Sequence, residues 1–439
     1  MAPQSRQVMW CLCKTIASAC RNMARKARFA CCCYALSYIT IVIATGLPGL
    51  FQYCTGLRPF VTGTTIDRMC LGGGESYKTI AADGYSVNID RSERSTIVYF
   101  PAFPFCARYL SYAFNIGTSE ALVIAAAAFL LAAFVLFDRY LADGDPLACT
   151  LCCRKCAIVT LAVLPPTFFF RMAYTESMFL CLLILAMYGI RRVWPSYIIA
   201  LIIGLSTATR STGIALLGPF ILHLWRLRRS KVSKFPSSTL KWRLRSTASA
   251  MVFLIPRCTV ACWGIVAFMG YQWSKYGDPA IFVKVQSAFR AREPEQDIGR
   301  WIMDLITFEP VRSTYDTGSA CYWGNTGPHV AWIVSLPFAN PLYFMAVIVL
   351  LAVGGLSRWI NSKEVVLGAL LLVIPYVVQT SRQGMMSQAR FSVVAFPIYI
   401  VLGQLLCRVP RPVAIYALLV CTYLLCVYTW LFMSGYWLW

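Results

Sequence analysis

Ionisable side chains are scarce in this chain, so the places where they gather are informative. Gly72 to Phe105 reads GGGESYKTIAADGYSVNIDRSERSTIVYFPAFPF. It holds Glu75, Asp83, Asp90 and Glu93, with Asp67 just before it, and it interleaves them with Tyr77, Tyr85 and Tyr99. A carboxylate in such a segment can take the proton of a reacting hydroxyl. A second set, Arg171, Glu176, Arg210, Arg382 and Arg390, stands at the ends of apolar runs. The planar fork of arginine grips phosphate or carboxylate through two parallel hydrogen bonds. Charges at a membrane boundary are costly to keep and usually mark function.

The elements that must position these groups are apolar. The chain has 439 residues, of which 59% are hydrophobic and 13% charged, and its mean hydropathy is +0.63. A soluble domain of this size does not have that composition. The apolar runs are continuous rather than alternating, which excludes a β-barrel and leaves helices as the way to satisfy the backbone in lipid. The sequence therefore predicts an all-α polytopic membrane protein. Spans fall near 31–53, 119–137, 156–170, 176–190, 196–208, 211–225, 247–272, 331–356, 364–380, 391–407 and 411–433, about 11 transmembrane helices. Several are short for a full crossing, so 156–170 with 176–190, and 196–208 with 211–225, are alternatively re-entrant hairpins. Either way the chain returns to the same side. The run from about 30 to 53 is too long for a cleaved signal peptide and reads as a retained signal anchor.

Lys and Arg set the orientation. The basic N-terminus (residues 1–30) and the run RLRRSKVSKFPSSTLKWRLR in loop 226–246 belong inside, where the only acids are Asp138, Asp143, Asp145 and Glu364. The net charge of +22 is thus a topology signal and not a nucleic-acid footprint. Membrane lipids are the partners it implies, with anionic headgroups within reach of the basic loop. The first loop (58–118), the loop 273–330, the turns at Arg171–Ser177, Thr207–Thr212 and Ser381–Arg390, and the tail 434–439 all fall outside. The simplest account is a single membrane-embedded unit, 31–433, with an outward-facing polar chamber roofed by the two large loops.

Ordered short motifs then suggest a family. The first loop carries YKTIAADGY (Tyr77 to Tyr85) and STIVYFPAFP (Ser95 to Pro104). After it come FFFRMAYTES (Phe168 to Ser177), ATRSTG (Ala208 to Gly213), YGDPAIF (Tyr276 to Phe282) with Gln286, and SQARF (Ser387 to Phe391) with Phe396-Pro397. In this order, over roughly residues 65 to 400, the chain resembles the PIG-V family, the second mannosyltransferase of glycosylphosphatidylinositol (GPI) anchor synthesis, and its bacterial relatives. The resemblance implies a GT-C-like polytopic glycosyltransferase. Such an enzyme takes a sugar, typically mannose, from a polyprenyl- or dolichyl-phosphate donor. It passes the sugar to a lipid-linked or glycan acceptor on the lumenal or extracytoplasmic face, of the endoplasmic reticulum or of a bacterial inner membrane. It implies Tyr77, Tyr85, Arg171, Tyr174, Glu176, Arg210, Asp278, Gln286 and Arg390 as substrate-binding residues. It names no cofactor beyond that donor and leaves a divalent metal and an accessory subunit open.

One departure falls on the catalytic base. The family's first-loop Asp lies four residues before the position of Tyr77, which here is Gly73, and its preceding Trp is Gly72. Glu75 and Asp67 are the nearest carboxylates and the expected substitutes. A catalytically impaired paralogue, a transporter and a scaffold are the alternatives. Plainer roles stand beside the functional ones: Glu176 as a helix cap, Arg171 and Arg210 as snorkelling anchors, Arg390 as an interface anchor, Asp278 as a turn former before Pro279, and Gln286 as a structural residue. His223 and His329 are isolated. Cys149, Cys152, Cys153 and Cys156 have a spacing zinc could use, but read as membrane-edge thiols, and no metal ligands are expected.

Overall fold

The computed structural model describes residues 27–61, 63–87, 95–144, 150–232, 240–289, 298–325, 331–377 and 384–436. Asp90, Glu93, Asp145, Cys149, His329 and Arg382, named above, lie outside the described residues. The described residues form helices and no strand. Four helices are long and apolar enough to cross a membrane: Arg28–Gly46, Thr118–Ala142, Leu336–Leu356 and Arg411–Met433. Two bent pairs bring the total to six if each counts as one span. The other predicted spans hold shorter helices, among them Glu176–Arg191 with 16 residues, Ser196–Thr209 with 14 and Pro397–Leu406 with 10. At about 1.5 Å per residue, 16 residues reach about 24 Å, short of a bilayer core of about 30 Å.

The breaks have local causes. Leu164 precedes Pro165-Pro166, and the ring of a proline drives the residue before it out of the helical region. Leu164 is extended accordingly (φ −60°, ψ 130°), and the helix Leu151–Val163 bends by 72° into the 3-10 turn Pro165–Arg171. The expected span 31–53 stops at Gly46 and restarts at Pro48 as a short helix that closes on Gly56. The expected span 247–272 turns by 58° between Met251–Ala261 and Trp263–Tyr276. Arg210 is extended (φ −154°, ψ 145°) and separates Ser196–Thr209 from the 3-10 turn Ser211–Leu216.

Glu176–Arg191 runs through the middle of the bundle. Nearly all its side chains are buried, as expected of a helix that is apolar all round, and its main neighbour is Thr118–Ala142. At the end of this helix predicted to face inside, three of the acids expected there are paired: Asp138 with Arg154 at 2.6 Å, Glu364 with Arg191 at 2.8 Å and Asp143 with Arg192 at 2.7 Å. At the other end the first loop is anchored by rings. Tyr77, Tyr85, Phe100 and Phe103 are buried in one apolar cluster with Phe168, Phe169 and Tyr174. The helix Ala102–Phe114 buries Phe103 but exposes Tyr109, Tyr112 and Phe114, in keeping with an interfacial amphipathic segment.

Candidate functional site

Three chain breaks deliver three charges to one point. Glu176 opens the central helix directly after Thr175. Arg210 is the extended residue between two helices. Arg390 lies in the short helix Gln388–Ser392, which starts from Ser387 in the left-handed region (φ 63°) and is tied down by Ala389 N–H donating to Asn340 Oδ1 at 3.1 Å. Both guanidiniums donate to Glu176 Oε1. Glu176 is fully buried, and the arginine side chains keep 12% and 13% of their surface exposed. Arg390 stacks on Tyr174, 4.4 Å from the ring centroid, and Arg210 lies 5.2 Å from that of Phe391. Cation–π contact of this kind is strongest where water is excluded.

The first loop docks on the same cluster through its helix Gly73–Ala82. Tyr77 Oη lies 3.4 Å from Thr175 Oγ1, and the Gly73 N–H donates to Tyr174 Oη at 2.9 Å, which in turn donates to the Leu71 carbonyl at 3.1 Å. Ala173 N–H donates to the Met69 carbonyl at 3.0 Å. Burial pushes the Tyr77 phenol up to about 12, so it stays a hydrogen-bond donor at neutral pH. The cluster thus unites Tyr77, Tyr174, Glu176, Arg210 and Arg390 through contacts that span 34 to 214 residues of chain.

Other expected residues go elsewhere. Arg171 is buried, but its guanidinium turns back to the carbonyls of Ala162 and Thr167 and to Thr167 Oγ1. It satisfies the helix end opened by Pro165-Pro166, and it is not the third phosphate-facing arginine the sequence predicts. Tyr85 donates to the Tyr99 carbonyl at 2.8 Å, its own carbonyl accepts from Tyr276 Oη at 3.2 Å, and its ring packs on Phe268 and Tyr271. It buttresses the loop and does not reach the cluster. Asp278 accepts from Ala280 N–H at 2.9 Å and pairs with Lys284 at 2.6 Å. Lys284 above all, then that N–H, holds its carboxyl below the usual range, the behaviour of a turn former. Gln286 is half-buried on the helix Ile281–Phe289.

Neither substitute base is turned toward the cluster. Asp67 is exposed and accepts from Thr64 Oγ1 at 2.7 Å, while its N–H donates to the same oxygen, a reciprocal helix cap. Glu75 is exposed, whereas Gly73, Gly74, Ser76 and Tyr77 are buried. Two residues along a helix is about 200° of turn, so Glu75 faces away from the side that touches Tyr174 and Thr175. A Cβ at Gly73 would meet Tyr174 Cε1 at 3.0 Å. The position where the family carries its Asp is here filled by backbone against a ring.

Glu176 Oε2 and the neighbouring Ser177 Oγ are buried with no hydrogen-bond partner among the described residues, as are both ends of the Gln388 amide and Ser392 Oγ, which lie two residues either side of Arg390 and so on the other face of its short helix. Buried polar groups are normally satisfied, so Glu176 Oε2 and Ser177 Oγ suit a polar ligand or water. Two cavities, of about 430 Å³ and 680 Å³, lie around Arg191, at the other end of the central helix.

No family model and no curated protein matches the chain. Among solved structures it is similar to the oligosaccharyltransferase of Archaeoglobus fulgidus. With an acceptor peptide tethered, that enzyme superposes at a TM-score of 0.43 and 11% identity, covering 92% of this chain and 55% of the enzyme. Its apo form gives 0.42 and 13%, over 91% and 56%. Its complex with an inhibitory peptide and a dolichol-phosphate gives 0.41 and 12%, over 93% and 56%. The chain spans about half the length of that enzyme. At TM-scores and identities this low, the likeness assigns neither family nor activity.

Proposed function

We propose that the chain is a membrane glycosyltransferase that moves a sugar, mannose by the motif resemblance, from a polyprenyl- or dolichyl-phosphate to a hydroxyl of a lipid-linked or glycan acceptor on the outer or lumenal face. The observation that carries this is convergence. Four motifs chosen from the sequence for that chemistry meet at Glu176. In the reaction the bond from the anomeric carbon to the donor phosphate breaks, the acceptor oxygen bonds to that carbon, and the acceptor proton passes to a carboxylate. Arg210 and Arg390, each using only part of its fork on Glu176, supply N–H donors for the charge left on the lipid phosphate. Glu176 holds the two like charges side by side, and with two guanidiniums on one oxygen it is a positioning group rather than the base. Glu75, and after it Asp67, is proposed as the base by its nearness along the chain to Gly73, and each must turn from its exposed face to reach an acceptor held beside the arginines.

The test is transfer of labelled mannose from polyprenyl-phosphate-mannose in membranes containing the protein. Transfer is expected, with a loss of at least about 100-fold for Arg390→Ala and for the pair Glu75→Gln with Asp67→Asn. Unchanged transfer in the pair removes both carboxylates as bases. If no polyprenyl-linked sugar is consumed, the second reading holds. Gly73 favours that reading: the chain would be a non-catalytic paralogue that keeps the lipid-phosphate cluster without the base.

A further inference from the structure

The predicted inner end of the bundle carries a cluster of thiols that the transfer reaction does not use. The helices Leu151–Val163 and Pro397–Leu406 run antiparallel in backbone contact. Gly403 permits this: a Cβ there would meet the Cys153 carbonyl oxygen at 2.5 Å and the Ala157 nitrogen at 2.8 Å. Cys152 and Cys156 are four residues apart and so share one face of the first helix. Cys407 caps the second helix. Its Sγ lies 3.1 Å from Cys152 Sγ and 3.7 Å from Cys156 Sγ, and all three sulfurs fall within 4.8 Å of one another. Zn–S bonds of about 2.3 Å at tetrahedral angles separate sulfurs by about 3.8 Å, so an ion between these three needs only small shifts.

The surroundings fit a bound ion. Cys152 is exposed and the other two are half-buried, which leaves an entry path and an open coordination position for water. No carboxylate belongs to the group, so hard cations have no ligand there, whereas thiolates select soft ions. The nearby cations are engaged elsewhere. Arg154 pairs with Asp138 at 2.6 Å, and Arg408 donates to the carbonyl and Oε1 of Gln404, both at 2.7 Å, while stacking on Trp359. Cys153 faces inward to Gln404 Oε1 at 3.5 Å and is not a ligand.

We propose that Cys152, Cys156 and Cys407 hold one thiophilic d10 cation, Zn2+ or Cu+, as three thiolates, and that the ion clamps the two helices at their inner ends. Binding releases one proton from each thiol. Cys407 stands 251 residues from Cys156, so cysteine spacing along the chain does not reveal the site. The inference is independent of the glycosyltransferase proposal.

The test uses the full-length chain purified in detergent, reduced, and equilibrated without oxygen against Zn2+ in one arm and Cu+ in the other. Metal is measured after desalting, and thiol alkylation is mapped by peptide mass spectrometry. The expected result is that one arm yields about one ion per chain above that retained by Cys407→Ser, and that the same ion shields Cys152, Cys156 and Cys407 from alkylation. The arm that succeeds names the ion. Equal metal in Cys407→Ser, or bound metal with these thiols still reactive, overturns the proposal. So does a Cys152–Cys407 disulfide recovered from membranes quenched directly with alkylating reagent, which would make the cluster a redox pair. Shielding in the unsubstituted chain decides the matter if Cys407→Ser does not fold.

Discussion

Glu176 has two guanidiniums on one of its oxygens and sits in a buried place. Removing its charge strands two buried cations side by side, which costs about 3–5 kcal/mol when a buried pair is broken. Glu176→Gln is therefore expected to lower the melting temperature in detergent and to abolish transfer. A variant with full thermal stability would show that the ion pairs contribute nothing. Gly73 calls for the opposite manipulation. Gly73→Asp restores the carboxylate of the resembled family, yet its Cβ would press on Tyr174 Cε1 and disturb the N–H bond to Tyr174 Oη. Overpacking of this kind costs about 1–3 kcal/mol. The expected outcome is lower stability and no gain in transfer. A gain would mean that the loop can reopen around Tyr174, and that the missing Asp is the only catalytic defect.

The helix breaks are where element geometry becomes site chemistry. Leu164 before Pro165-Pro166 opens the end of a helix, and Arg171 closes it by donating to Ala162 and Thr167. Arg171→Met orphans these acceptors at about 1–3 kcal/mol each. It is expected to lower thermal stability while the folded fraction keeps its KM for donor. A raised KM without loss of stability would return Arg171 to phosphate binding. The breaks at Glu176, Arg210 and Arg390 were legible in the sequence, because charged residues interrupting apolar runs are local signals, whereas the expected spans 31–53, 156–170 and 247–272 ran through the breaks at Leu47, Leu164 and Cys262. The direction of each side chain was not legible. Whether an arginine at a break turns forward to Glu176 or back to its own helix depends on packing against segments 34 residues away for Arg210 and 214 for Arg390. For the same reason Glu75 looked suitable by its distance along the chain from Tyr77, and helical phase put it on the far face.

At the scale of the whole molecule, orientation decides which end is catalytic. The long loops 58–118 and 273–330 and the Glu176 cluster belong to one face if Lys and Arg mark the inside, and the thiol cluster with the paired acids belongs to the other. Helix length does not decide this, because among the described residues four helices are long enough alone and six if bent pairs are counted. The chain itself offers a clean probe, since it contains no Asn-x-Ser/Thr sequon. Any glycan found after a sequon is introduced must come from that position. Asn-x-Thr placed near Asp83 or near Asp316 is expected to be glycosylated when the protein is made in a eukaryotic secretory membrane, with a gel shift removed by endoglycosidase. The same sequon within 226–246 is expected to stay bare. Glycosylation at 226–246 alone would invert the molecule, place Glu176 and its arginines on the cytoplasmic face, and exclude a lumenal donor for this site. Glycosylation at Asp83 but not Asp316 would mean an odd rather than an even number of crossings between the two loops. The bent pair Met251–Ala261 with Trp263–Tyr276 would then be a re-entrant element rather than a span.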